Sequence, residues 1–256
     1  MGPRTIIRLD ATDSTNAVAL ERGVKGAAAG TVITATMQTA GRGRMNRCWL
    51  SPPGMGLYFS IILRPQLEPE QLAKITLASG LALCRVVEAE YAVFPQIKWP
   101  NDLLLHGRKF GGILTETGPL GHISEGELPL VVVGVGLNLN PPAGGFPPEL
   151  QDRATSLASH VGRKIAAEII LEAGAAAIEQ VVVRLERGDF PTILAEWKER
   201  DATLGKRLTW VTVQGRQVHG VSLGPDADGI LHIRDRSGTI HTVISGDVNL
   251  AGNVPG

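Results

Sequence analysis

The chain has 256 residues, which at roughly 100 to 200 residues per domain allows one large domain or a large one followed by a small one. Its 25 Lys and Arg balance 25 Asp and Glu, so no overall basic field exists to hold nucleic acid nonspecifically, and 43% apolar with 20% charged residues is enough to bury a core and excludes a disordered or fibrous chain. Only Cys48 and Cys84 occur, without metal-ligand or disulfide-framework spacing, and no apolar run approaches the ~18 residues of a membrane span; a cytoplasmic protein with no membrane partner is expected.

In chain order, residues 4 to 9 read as a short strand, and Asp13 or Ser14 is placed to cap a helix through Ala17, Leu20 and Val24. Residues 31 to 37 alternate β-branched with small residues as a strand does, a GRGR loop interrupts, and strand character resumes at 57 to 63. Leu72, Ile75, Leu77, Leu81, Leu83 and Val86 are spaced as a buried helix over 69–90. Strands follow at 94–98 and 103–116, with a His106-Gly107 turn inside the second, and VVVGVGLNLN at 131–140 reads as a buried strand. After a proline-rich break, helices are expected at 165–187 and 190–200, then short strands at 207–213, 217–223, 229–234 and 239–244, which predict a small all-β barrel.

Three segments carry candidate chemistry. Gly41-Arg42-Gly43-Arg44-Met45-Asn46-Arg47-Cys48-Trp49 sets three arginines on a glycine-bearing loop beside an aromatic, a pattern suited to triphosphate or adenylate and equally to a solvated basic turn. Lys98-Trp99-Pro100-Asn101-Asp102 presents a cation, an amide and a carboxylate at one turn, or an Asx-turn with a surface lysine. Lys109-Phe110-Gly111-Gly112-Ile113-Leu114-Thr115-Glu116 places paired glycines in a strand, which permits close approach of a flat ligand or marks a β-bulge.

Taken together, GRGRxxRxW, KWPND and KxxGIL, in that order and followed by GVGLN, resemble the biotin protein ligase family, with Asp13-Ser14-Thr15-Asn16 and Gln38 extending the match over about 190 residues. The resemblance implies an α+β fold: a mixed sheet with packed helices, like the class II synthetase and lipoate-ligase catalytic domain, over 1–203, and a small SH3-like β-barrel over 204–256. It implies a two-step reaction in which biotin and ATP give biotinyl-5′-AMP and pyrophosphate, and the biotinyl group then passes to one lysine of a biotin carboxyl carrier protein. Because the Asp-Ser-Thr-Asn segment begins at residue 13, the form expected is the monofunctional one, without a DNA-binding domain and with no DNA partner. The family's habit also points to a homodimer.

By the same resemblance, Ser14, Thr15, Asn16, Gln38, Gly41, Arg42, Gly43, Arg44, Lys109 and Gly112 form the biotin site, where hydroxyl and amide groups supply the donors and acceptors a ureido group needs. Ile113 and Leu137 are expected to pack on the rings and valeryl chain. Arg42, Arg44, Arg47, Trp49, Asn101, Lys109 and Asn138 form the ATP and adenylate site. Mg²⁺ accompanies the triphosphate, and no protein metal ligand is identified. Arg44, Lys109, Lys98 and Asp102 are the catalytic set. Arg44 and Lys109 bind the reacting anions, and Asp102 or Lys98 assists the acceptor amine, Asp102 as orienter or base. The 39–49 loop, with few apolar anchors, is expected to order over the adenylate. Two departures stand out: Asn46 where the family commonly has glycine, and Ala251 near a position where some members carry an arginine that touches the nucleotide. The competing readings are a lipoate-type ligase, for which GRGR with KWPND would be unexpected, and a non-catalytic biotin or nucleotide binder, against which the joint presence of Arg44, Lys98, Asp102 and Lys109 argues.

Overall fold

The computed structural model describes residues 4–119, 128–142, 144–212, 214–244 and 246–250; Ala251 lies outside them. Seven strands, β1 (Ile6–Thr12), β2 (Val32–Gln38), β3 (Gly56–Leu63), β4 (Gln96–Lys98), β5 (Asp102–Leu105), β6 (Arg108–Thr117) and β7 (Val131–Asn138), form one sheet in the order β1-β2-β3-β7-β6-β5-β4. Only β1 and β2 run parallel, across the crossover helix α1 (Thr15–Val24); the remaining pairs are antiparallel, so the sheet is mixed, as expected. The continuous apolar run of β7 follows from its place inside this sheet, covered on both faces. Val131, Val133, Val135 and Leu137 face the main core, and Val132 packs with Ala19, Ile33 and Ile62 beneath α1.

The main core lies between the sheet and the helices α2 (Lys74–Tyr91), α4 (Ala167–Glu186) and α5 (Phe190–Lys198). The first helix of this set starts later than its hydrophobic spacing suggests, because residues Pro69–Gln71 form a 3₁₀ turn in which the Glu68 N–H donates to Gln71 Oε1 at 3.2 Å. A one-turn helix, α3 (Ala158–Val161), has too few residues to leave a periodic trace and was not expected.

The last five strands, β8 (Arg207–Val211), β9 (Gln217–Pro225), β10 (Leu231–Asp235), β11 (Ile240–Val243) and β12 (Asp247–Leu250), make a second sheet in the order β11-β10-β9-β8-β12. Four of them match expected strands; β12, only four residues long, was missed. Two anchors join this sheet to the first. Ala202 donates its N–H to the Ile97 carbonyl at 2.9 Å, and the buried indole of Trp99 donates to the Gly229 carbonyl at 2.9 Å. Replacing Trp99 by Phe keeps the apolar body and strands that buried carbonyl, so Trp99→Phe is expected to lose about 1–3 kcal/mol in urea unfolding. A loss near zero would mean that the bond contributes no net stability.

Candidate active site

The cleft is set out by strand register. Lys98 pairs with Asp102, Asp102 with Gly112, Gly112 with Gly136 and Gly136 with Tyr58, so these residues form one row across five strands on a single face. The adjacent row on that face is Leu114, Gly134, Ser60 and Ile33. The glycines leave vacant floor that other elements fill. A Cβ on Gly136 would lie 2.5 Å from the Trp49 indole, and one on Gly134 would lie 2.0 Å from Asn16 Oδ1. The GVG triplet therefore seats the loop tryptophan at one glycine and the α1 asparagine at the other.

Strict alternation would put Lys109 on the face opposite Gly112. It does not, because Leu103 pairs with Gly111 while Leu104 pairs with Lys109, leaving Phe110 as the extra residue of a β-bulge. The bulge turns Lys109 into the cleft, where its Nζ would come within 3.4 Å of a Cβ on Gly112. The β-bulge expected beside the paired glycines is present. A returning segment fixes the lysine backbone: Lys109 N–H donates to Arg153 O at 2.8 Å and Thr155 N–H to Lys109 O at 2.9 Å.

Above the floor, the arginine loop closes on itself. Trp49 N–H donates to Gly41 O at 2.8 Å, Gly43 N–H to Arg47 O at 2.7 Å, and Arg42 bridges Cys48. Gly41 admits this closure, since a Cβ there would lie 2.4 Å from the Trp49 carbonyl. Asn46 takes the left-handed φ of +58° that asparagine tolerates, and Met45 precedes it at +56°. The loop has one large apolar anchor, Trp49, whose ring lies 5.2 Å from Lys109 Nζ and whose indole N–H is buried with no hydrogen-bond partner among the described residues.

A polar network lines the other side of the cleft. Gln38 Oε1 accepts from Thr15 N–H at 2.9 Å, Gln38 Nε2 donates to Ser51 Oγ at 2.9 Å, and Ser51 donates to the Trp49 carbonyl at 3.0 Å. Asn16 spends both amide protons inward, on Leu114 O at 3.1 Å and on Glu116 Oε2 at 2.7 Å. The same carboxylate oxygen takes Arg42 Nη2 at 3.0 Å.

Arg42, Arg44, Arg47, Lys98 and Lys109 all line this cleft of about 130 Å³, and Asp102 is the one acid among its described lining residues. Asp102 lies 2.6 Å from Lys109 Nζ and 3.0 Å from Lys98 Nζ, with 13% of its side chain exposed. Burial works to raise its pKa, but the two ammonium groups outweigh burial and hold the carboxyl well below the usual carboxylate range. Asn101 accepts from Arg44 Nη1 at 3.4 Å and donates to Ile113 O at 3.0 Å, tying an arginine to the KWPND turn.

A second cavity of about 550 Å³ opens from the first and shares Arg47, Trp49, Lys98, Asp102 and Lys109 with it. Leu104, Met55, Phe146 and Leu150 give it apolar walls, and Asn138 lines it while donating to Thr155 O at 3.2 Å. Every residue expected at the site lines one of the two cavities, except Leu137 and Gly41, the latter sitting beside the wall under Trp49. Leu137 is a correction to the expected packing. Alternation turns it into the main core, where Ile113 also packs while still lining the cleft, and Gly112, Gly134 and Gly136 supply the floor. Sequence reasoning missed Ser60, Glu116, Gly134, Gly136 and the apolar residues of the second cavity; Glu116, Gly134 and Gly136 stood inside recognised motifs.

The biotin/lipoate A/B protein ligase family model matches residues 9–138. The Bifunctional ligase/repressor BirA of Bacillus subtilis is 34% identical over 245 residues, 96% of this chain and 74% of that protein. A Biotin--[acetyl-CoA-carboxylase] ligase of Mycobacterium tuberculosis is 34% identical over 247 residues, 93% of this chain and 85% of that one. The structure of a biotin protein ligase from Aquifex aeolicus in complex with biotin and ATP superposes with a TM-score of 0.82 at 27% identity, covering 97% of this chain and 99% of that one.

A carboxyl with a depressed native pKa contributes stability above its unfolded value of about 3.9 and loses it as the pH falls through its native value. Asp102→Asn is therefore expected to lose about 2–4 kcal/mol in urea unfolding at pH 7, where two lysines lose their counter-charge, and the gap to the parent protein should narrow below about pH 4. A gap that stays constant with pH would show that ionised Asp102 is not its source.

Proposed function

Because this chain belongs to the biotin/lipoate A/B protein ligase family, we propose that the joined cavities run its two-step chemistry with biotin and ATP. A carboxylate oxygen of biotin attacks the α-phosphorus of ATP, the bond to pyrophosphate breaks, and biotinyl-5′-AMP is held in place. The amine of a carrier-protein lysine then attacks the acyl carbon, AMP leaves, and an amide forms. The observation that carries this reading is the meeting of a polar-walled cleft and a larger, partly apolar cavity at Lys109, with Arg47, Lys98 and Lys109 lining both and Arg42 and Arg44 lining the first.

Roles follow from position. Ser14, Thr15 and Gln38 take the ureido head, with Asn16 behind them as organiser since both its donors are spent. Lys109 spans the junction and, with Arg44, neutralises the carboxylate and α-phosphate as they approach. Arg42 and Arg47 add positive charge from the loop. Asn101, Asn138 and Trp49 line the nucleotide side. Lys98 completes the charge pair around Asp102. Of the two roles open to Asp102, orienter is the one supported, because a carboxyl with a lowered pKa is a poor proton acceptor. Mg²⁺ would supply phosphate charge neutralisation. The donor set does not fit a protein-held ion, because the cleft offers it a single carboxylate already shared by two lysines, and the described residues contain no cluster of three His, Cys, Asp or Glu.

The acceptor is a carboxylase biotin carrier, as the names of the ligase relatives imply. The C-terminal sheet is read as the family's small SH3-like barrel, with a boundary near residue 204. Gly246 and Val248 from that sheet reach the cleft wall, which supports a share in the site.

ATP–pyrophosphate exchange run with biotin and with lipoate separates the family's two substrate types: exchange with biotin alone is expected, and exchange with lipoate alone would overturn the reading. Lys109→Ala is expected to lower biotin-dependent exchange by about 10²–10³ when assayed at a temperature where the variant, which keeps Lys98 beside Asp102 but melts lower, is still fully folded. Near-parental exchange in that variant would remove Lys109 from the chemistry.

A further inference from the structure

Behind the cleft wall, two hydroxyl protons serve three close oxygen pairs. Ser60 Oγ lies 2.6 Å from Asn16 Oδ1 and 2.8 Å from Thr15 Oγ1, and Thr15 Oγ1 lies 3.2 Å from Gln38 Oε1. The Asn16 amide cannot be turned over, because its Nδ2 faces the Leu114 carbonyl and the Glu116 carboxylate, which only accept. Asn16 Oδ1 therefore faces Ser60 with no proton to offer, and Ser60 must give its own. Two bare oxygens 2.8 Å apart would repel, so Thr15 gives its proton to Ser60. Gln38 Oε1, at the longer distance, needs none: the backbone N–H of Thr15 already fills it at 2.9 Å.

The Thr15 side chain lines the cleft. With its single proton directed inward, it shows the cleft only lone pairs. We propose that Ser60, wholly buried behind the wall, is a positioning residue that makes Thr15 an obligate acceptor, so that the bound molecule must present an N–H there. This rests on the reading of the cleft as the biotin site, and it deepens that reading: a ureido ring carries two N–H groups, and one of them is assigned to Thr15. Specificity at this point is then fixed by a residue that the ligand never touches, through the chain Glu116, Asn16, Ser60, Thr15.

Calorimetric titration of biotin and, separately, of ATP into the whole chain tests this with Ser60→Ala, Thr15→Val and the double variant. Ser60→Ala should weaken biotin about tenfold or more, the order expected when a buried polar group loses its partner, and leave ATP affinity unchanged. If Ser60 acts through Thr15, the double variant binds biotin no more weakly than the weaker single one. Preference for biotin over its ureido N-methyl derivative should also shrink in Ser60→Ala. Ser60→Cys, which retains a poorer donor, should fall between parent and Ser60→Ala. Parental biotin affinity in Ser60→Ala, losses that multiply in the double variant, or a matching loss of ATP affinity would each overturn the inference. Failure of the parent chain to bind biotin would overturn the functional reading and this inference with it, and is told apart because it appears before any substitution is made.

Discussion

Lys98 and Lys109 close on Asp102 from two sides, at 3.0 and 2.6 Å, while three arginines line the same cleft from the loop above. Among the described lining residues five cations gather with one carboxylate, and Glu116 pairs with Arg42 beside them, so positive charge is concentrated here in a chain whose formal charge is zero. Positive charge held at fixed positions is what joining two anions requires. At an effective dielectric near 20, two unit negative charges about 4 Å apart repel by about 4 kcal/mol, and only fixed counter-charge removes the penalty without waiting for solvent to reorganise. Asp102 is the constraint on which the arrangement depends, because without it two ammonium groups would share a mostly buried space with no compensating charge.

Holding that charge in register is backbone work. The turn between β4 and β5 sets Lys98 directly across from Asp102, and the bulge at Phe110 rotates Lys109 onto their face. The segment of Arg153 to Thr155 then pins the Lys109 amide and carbonyl, so the lysine reaches into the cleft from a strand hydrogen-bonded on both sides. The bland explanation of each motif is part of the functional one. The bulge suggested by paired glycines is what aims the lysine, and the turn suggested by Trp-Pro-Asn is what brings cation and carboxylate together.

Strands β2, β3, β6 and β7 and the long helices α2, α4 and α5 were legible because hydrophobic period and length carry their signal. The site's cationic and amide residues were legible because they lie in compact motifs. Ser60 was not: inside GLYFSIIL it reads as an unremarkable strand serine, and only register across three strands places it beside Asn16 and Thr15. Leu137 was misassigned for a related reason. Its neighbours in GVGLN line the cleft through glycines, and facing can be assigned only once it is known that both faces of β7 are covered. The apolar wall of the second cavity comes from a proline-rich stretch with no periodicity, where sequence offers composition alone. The four-residue strand β12 is too short to alternate visibly.

The two halves of the cleft are built to different tolerances. The polar wall is buried, its hydrogen bonds run in one direction, and Asn16, Ser60 and Thr15 have no alternative arrangement that leaves every group satisfied; such a surface discriminates because a mismatched ligand strands a buried donor or acceptor. The cations lie on long side chains, several from a loop whose large apolar anchor is Trp49, and an attraction between charges falls off gradually with distance rather than demanding one geometry. In the proposed reaction, recognition of an uncharged head group therefore belongs to the rigid side, and accommodation of phosphates whose positions change belongs to the adaptable one. Lys109 stands where the two meet, held to Asp102 and near the Trp49 ring, so that in the proposed reaction an acid selected by the wall would meet the charged side with its carboxylate facing the cation.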